Sequence, residues 1–159
     1  MYFRPYDLSD KPACVRIFAS NVPKFFAPHE QAEYEVFLDQ PNCTYFVVEN
    51  DAHQVIGCGG YYVDDTRRVG ALCWGMVANE VHHQGVGRYL LLQRLNRICL
   101  EGGTDFVLID TSQHTAPFFE KSGFVTGKII KDHYAPGLHS YEMALKLDDA
   151  RCQWLAEQA

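Results

Sequence analysis

The strongest constraint on the fold lies in one stretch of about forty residues. An apolar run, ALCWGMVAN, is followed by a polar link and by two glycines one residue apart, Gly85 and Gly87. A helical pattern then begins, with Leu91, Leu95 and Ile98 recurring at helical spacing and Arg94, Arg97 and Glu101 on another face. Gly102-Gly103 stops that helix, and the apolar segment DFVLID follows. Strand, glycine-rich link, helix and strand in this order form a crossover, which delivers its last strand parallel to its first.

The glycines need a reason. The first turn of a helix exposes backbone N–H groups with no partner inside the helix, and the helix dipole adds roughly half a positive charge there. A preceding loop without Cβ atoms lets an anion approach those groups. QGVGR is therefore a candidate cradle for a pyrophosphate, with Arg88 as an added side-chain contact. The dinucleotide fingerprint fails because Leu90 stands where a third glycine belongs, and no Gly-Lys-Ser/Thr of a Walker loop occurs. On this local pattern alone, a plain strand-to-helix turn competes evenly with a phosphate site.

The remaining segments divide by period. YFRPY reads as a first strand. DLSDKPACVRIFASNV reads as a helix capped by Ser9 or Asp10 and ended by Pro23. APHEQAEYEVFLDQ is a second helix, stopped by Pro41. CTYFVVEN, VIGCGGYYVDD and ALCWGMVAN form an antiparallel meander, with a bulge or close backbone approach in the glycine-rich middle strand. DFVLID reads as a buried strand and HTAPFFEKSGF as a short helix. VTGKIIKD and SYEMALKL are strands joined by HYAPGLH, with the turn at Pro136-Gly137. The amphipathic tail DDARCQWLAEQA packs on the body or on a second subunit, which makes a homodimer one expected assembly. Because βαβ units do not repeat, the sheet is mixed α/β and not doubly wound.

At 159 residues the chain is one domain's worth of core. A net charge of −6 and the absence of any Lys/Arg run argue against a nucleic-acid partner. No stretch reaches membrane-spanning length and the N-terminus has no apolar signal core, so the expected location is cytoplasmic, with no membrane partner. The six cysteines include no C-x-x-C pair, and several lie in apolar runs, the pattern of reduced, buried thiols. His82 and His83 are adjacent on a loop with no carboxylate cluster nearby, so no metal is expected.

GMVANEVHHQGVGRYLL resembles the acyl-CoA-binding motif of the GNAT superfamily of N-acetyltransferases, Gln/Arg-x-x-Gly-x-Gly/Ala after a central strand. Gly85 and Gly87 match the glycines and Val77 the apolar strand residue, while His82 stands at the Gln/Arg position. SQHTAPFFEKSGF resembles the family's later segment: Lys121, Gly123 and Phe124 fit, whereas Ser112, Thr115 and Phe119 replace the usual Asn, Ala and Tyr. The resemblance covers residues 43–147 most specifically. It implies a mixed, mostly antiparallel sheet flanked by helices, with a V-shaped split between the fourth and fifth strands. Acetyl-CoA would occupy the split as co-substrate, held by Val77, His82, His83, Gln84, Gly85, Val86, Gly87, Arg88, Ser112 and Phe119. A backbone N–H near Val77 would polarise the thioester carbonyl, and an amine would attack the acetyl carbon without a covalent enzyme intermediate.

The attacking amine must be neutral, and a lysine-like amine with pKa about 10.4 is neutral in only on the order of one molecule in a thousand at pH 7. The family's usual acid is the tyrosine replaced here by Phe119, and Ala71 and Cys73 stand on the strand where some members carry a glutamate base. Tyr134 and His139, flanking the late turn, are the candidate proton carriers, with Asp110 a third. The acceptor would be gripped by VPKFFAPHEQAEY, through Phe26, Glu30 and Tyr34. Three readings stay open: acetylation of a small amine or amino-acid-like molecule, acetylation of a protein N-terminus or lysine, and a CoA-binding sensor without catalysis.

Overall fold

In the computed structural model, which describes residues 1–159, seven strands form one sheet in the order β1-β2-β3-β4-β5-β7-β6. The strands are β1 (Tyr2–Pro5), β2 (Thr44–Glu49), β3 (Val55–Asp64), β4 (Val69–Val77), β5 (Phe106–Thr111), β6 (Val125–Ala135) and β7 (Leu138–Lys146). Every neighbouring pair is antiparallel except β4–β5, which the helical crossover makes parallel. The helices are α1 (Lys11–Ser20), α2 (Glu30–Asp39), α3 (Val86–Glu101), α4 (Ala116–Lys121) and α5 (Asp149–Gln158).

Strand β2 shows why both faces must be covered. Tyr45 and Val47 enter one core with Ile17 and Phe18 of α1 and Leu38 of α2. Phe46, pointing the other way, joins Leu91, Leu95 and Ile98 of α3 and Leu155 of α5. The α1–α2 layer reaches β2 to β4 but not β5. Of the first three residues of β5, only Val107 is buried, while Phe106 and Leu108 on the opposite face are exposed. The expectation of a strand buried on both faces therefore holds for one face alone.

Asp10 stands at the N-cap of α1, as expected, but makes no side-chain cap bond there; the side-chain cap is made by Asp7, one 3-10 turn earlier. The Asp7 carboxylate accepts from the Ser9 amide, and Asp10 reciprocates by accepting from the Asp7 amide. The capped 3-10 turn Leu8–Asp10 runs directly into α1. The late hairpin is tighter than expected, since Ala135 pairs with Leu138 across Pro136-Gly137, so Tyr134 and His139 lie within strands. The tail packs back as α5, and Cys99 on α3 is joined to Cys152 on α5 by a disulfide, with Cα atoms 5.6 Å apart. These two cysteines depart from the all-reduced expectation. Cys14, Cys43, Cys58 and Cys73 are free thiols. No helix is long and apolar enough to cross a membrane.

Candidate active site

β4 and β5 pair from Val69–Ala71 against Phe106–Leu108 and then part, leaving a wedge between the second half of β4 and the end of β5. The cause is a bulge. The β3–β4 register passes from Gly60↔Cys73 to Cys58↔Met76, so Trp74 and Gly75 oppose the single residue Gly59. The extra residue thus lies on β4 rather than in the glycine-rich strand β3, and Trp74 takes a left-handed φ of 44° to make it. Buried side chains hold this conformation. The Trp74 carbonyl accepts from the Tyr45 hydroxyl at 2.7 Å. Because Tyr45 has one proton to give, Tyr34 donates to Tyr45 at 2.8 Å, and the Cys58 thiol donates to Tyr34 at 3.2 Å.

Arg94 props the bulge from the other face. A Cβ at Gly75 would lie 2.9 Å from its Nη1, and one at Gly59 would lie 3.0 Å from the same atom. The glycines leave room for a guanidinium, which is the close backbone approach the sequence suggested. Arg94 is 3% exposed and donates from Nη1 to the Gly60 carbonyl and from Nε to the Leu90 carbonyl. Its assignment to a polar helix face is thus overturned: it is a buried strut, and burial lowers its pKa.

At the end of β4, the Ala78 amide donates to Ile56 of β3. Antiparallel alternation then turns the N–H and C=O of Val77 away from β3, toward the wedge. The carbonyl is already satisfied by Asn21 Nδ2 at 2.9 Å and His82 Nε2 at 3.0 Å. His82 is therefore tied back to the strand end, with Nε2 carrying the proton. Neither Asn21 nor its role was legible beforehand, since an Asn after a helix reads as a stop signal.

The link into α3 coils sharply. His83 and Gly85 both take left-handed φ values, 62° and 83°. Tyr89 is the first residue to donate into the helix, to the Gly85 carbonyl at 3.0 Å, and no side chain caps this end. The amides from His83 to Arg88 have no partner in the chain. A Cβ at Gly85 would meet nothing within 4 Å, so the space over these amides is open. Gly87 is bordered by Phe118 and Val77, and a methyl added there would lie in ordinary contact with them, 3.7 and 3.8 Å away. Such a row of unsatisfied donors, with the helix dipole behind it, fits the diphosphate of a coenzyme thioester. Arg88 is exposed and unpaired beside it.

Across the wedge, the charges of carboxylates on three elements reach Tyr134. Asp110 and Glu142 are cross-strand partners on β5 and β7. Burial raises the Asp110 pKa, and the Glu142 charge adds to it. The Tyr134 phenol is pushed up by burial and by the charges of Asp110, Glu30 and Glu142, against the Ser140 hydroxyl. Glu30 is 8% exposed and accepts from the Ala27 amide at 2.7 Å, yet burial still lifts its pKa. Its ionisation therefore works against folding. The stability carried by the neutral acid is present below the ordinary carboxylate pKa and is lost as pH rises through the raised one. Glu30→Gln keeps the acceptor for Ala27, so the variant should gain melting temperature relative to the parent as pH rises above the ordinary carboxylate range. A difference that stays constant with pH would remove this account.

Other expected contacts sit elsewhere. Tyr34 is fully buried beneath Trp74 with its hydroxyl engaged, so its place is in the core rather than in a wall open to an acceptor. Phe119 packs in the core against Phe124. The Ser112 hydroxyl accepts from the His114 amide and meets Thr115 Oγ1, which organises the turn into α4. His139 Nδ1 accepts from the Asp132 amide at 2.9 Å, which fixes it within the hairpin. Phe26 packs between Phe18 and Trp74. Phe25, in the segment expected to grip the acceptor, meets His82 at 5.2 Å and His114 at 6.2 Å, spanning the loops on the two sides of the wedge. No group of three or more His, Cys, Asp or Glu side chains converges as a metal site would.

The family model of the acetyltransferase (GNAT) family matches residues 14–124, more than half of the chain, and the protein belongs to that family. Solved structures agree in fold. A GCN5-related N-acetyltransferase from Kribbella flavida superposes with a TM-score of 0.75 at 16% identity, covering 92% of this chain and 97% of its own. A ribosomal-protein-alanine N-acetyltransferase from Brucella melitensis gives 0.71 at 18% identity, covering 92% and 100%. An aminoglycoside 6'-N-acetyltransferase complexed with coenzyme A gives 0.73 at 12% identity, covering 92% and 97%. No curated protein sequence matches the chain.

Proposed function

We propose that this chain is an acetyl-CoA-dependent N-acetyltransferase acting on the primary amine of a small or amino-acid-like acceptor by direct attack in a ternary complex. The observation that carries the reading is the coincidence of the β4–β5 wedge with the unpartnered amides of His83–Arg88 at its mouth. In this reading those amides and Arg88 hold the diphosphate, and Gly85 and Gly87 keep the approach open. Bound acetyl-CoA supplies the acetyl group as a thioester. The Val77 N–H faces the wedge, in position to donate to a developing oxyanion.

A cationic acceptor suits the carboxylates of Glu30, Asp110 and Glu142. Asp110, with its raised pKa, is the better proton acceptor for the incoming ammonium. Tyr134 stays protonated and is the phenol available to the leaving thiolate, since Phe119 offers no donor. Phe25, lying across the mouth, favours a small acceptor over an extended peptide.

Calorimetry with acetyl-CoA and thiol release with a panel of small amines test this reading together. The expected result is micromolar binding and CoA release accelerated by at least one amine bearing a second cationic group. Tight binding with no amine-dependent release would identify a binding module. Absence of binding would overturn the reading.

A further inference from the structure

Four of the six cysteines are free thiols, and two of them are held together for no reason that acetyl transfer supplies. Cys43 lies just ahead of β2, and Cys73 lies on β4 beside the bulge. Strand β3 runs between them, yet their sulfurs are 2.8 Å apart. The approach passes over Gly60, the β3 partner of Cys73. A Cβ at Gly60 would stand 2.9 Å from Cys43 Sγ, so only the bare backbone leaves the sulfurs room to meet. The sulfurs need to close from 2.8 Å to the bonded length of about 2.05 Å, and Cys43 precedes the first paired residue of β2, Thr44.

The surroundings favour thiol chemistry here over the other pair of thiols. Both Cys43 and Cys73 are partly exposed, and Cys43 lines an open surface pocket of about 300 Å³ with Tyr6, Leu38 and Tyr45. Cys14 and Cys58 are sealed in the core. The Arg94 guanidinium, which has no carboxylate partner, donates to the carbonyl of the same Gly60. The Cys43 contact, with the Arg94 charge, lowers the Cys73 pKa, whereas the Cys73 contact and burial raise that of Cys43. Cys73 is thus the more acidic thiol of the two, and the thiolate is the reactive form.

We propose that Cys43 and Cys73 are a modification site, a dithiol that hydrogen peroxide converts to a reversible disulfide. The Cys73 thiolate attacks one peroxide oxygen and the O–O bond breaks. Cys73 becomes a sulfenic acid, and the departing hydroxide takes a proton from solvent to leave as water. The Cys43 sulfur then attacks the sulfenic sulfur, the S–O bond breaks, and hydroxide leaves as water with the Cys43 proton. Two sulfurs are each oxidised by one electron and the two peroxide oxygens are reduced, giving two waters.

The test uses the intact chain treated with a slight excess of hydrogen peroxide, then alkylated after denaturation and mapped by mass spectrometry. The expected map shows a cross-link between the peptides of Cys43 and Cys73, while Cys14 and Cys58 remain alkylatable, so the free thiols fall from four to two. Dithiothreitol restores the thiols. In Cys43→Ser, Cys73 should be trapped by dimedone as a sulfenic acid instead. The map of the unsubstituted protein decides by itself if that variant does not fold. Cys43 and Cys73 both alkylated after peroxide, or either one bonded elsewhere, would overturn the proposal.

Discussion

Gly87→Glu should abolish acetyl-CoA binding while leaving the protein folded. A methyl at this position meets only ordinary contacts, so the first atom of the new side chain fits. The rest must run past Phe118 and Val77 into the space over the amides of His83–Arg88. Its carboxylate then takes the donors a diphosphate would use, and its charge repels what remains. The same carboxylate at a helix N-terminus is favourable to the fold by about 0.3–1 kcal/mol, so the melting temperature should hold or rise slightly. Calorimetry should show the dissociation constant rising at least about 100-fold, a loss of roughly 2.7 kcal/mol. Gly87→Ala, which fits and brings no charge, should stay close to the parent. Unchanged affinity in Gly87→Glu would mean the diphosphate lies elsewhere and would take the acetyl-transfer reading with it.

The contrast between what the sequence discloses and what it hides follows the range of the interactions. The crossover through α3 is legible because its signals are local: the apolar period from Leu91 to Ile98, the stop at Gly102 and the glycines at its mouth. The unpartnered amides follow from the same local pattern, since any helix end has them. Arg94 is not legible. At helical spacing it reads like its neighbour Arg97, which lies over the rings of Phe3 and Phe46. What buries Arg94 is the missing Cβ at Gly59 and Gly75, residues on two other strands. Tyr34 and Phe26 fail to separate for a related reason. Both are aromatic, both sit near carboxylates in the sequence and both meet Trp74, but only Tyr34 has a hydroxyl engaged by Tyr45 and Cys58 on two other elements, which makes it core. The Cys99–Cys152 pairing depends on α5 folding back, which an amphipathic tail permits without specifying where it lands.

Gly60→Ala should be the most destabilising single methyl that can be added to this sheet. Its Cβ would stand 2.5 Å from the Thr44 carbonyl oxygen, 2.7 Å from Tyr45 Cδ1 and 2.9 Å from Cys43 Sγ. The first is backbone in a paired strand and the second belongs to a buried ring that holds the Trp74 carbonyl, so neither can yield cheaply. Overpacking of this kind costs about 1–3 kcal/mol, and two rigid neighbours put the expectation at the upper end. A loss of about 3 kcal/mol in a chain of this size lowers the melting temperature by roughly 6–12 °C. Denaturant titration should show the midpoint falling with an unchanged slope. Gly127→Ala is the matched control, also a strand glycine, whose added methyl would meet only the Glu142 carbonyl at 3.7 Å and should change stability by no more than about 0.5 kcal/mol. The relief open to Gly60→Ala is to push β2 away from β3, and that movement carries Tyr45 off the Trp74 carbonyl and relaxes the bulge that parts β4 from β5. Acetyl-CoA affinity should therefore fall in Gly60→Ala even well below its melting temperature, and it should not fall in Gly127→Ala. A stable Gly60→Ala protein with parental affinity would show that the bulge does not depend on this contact.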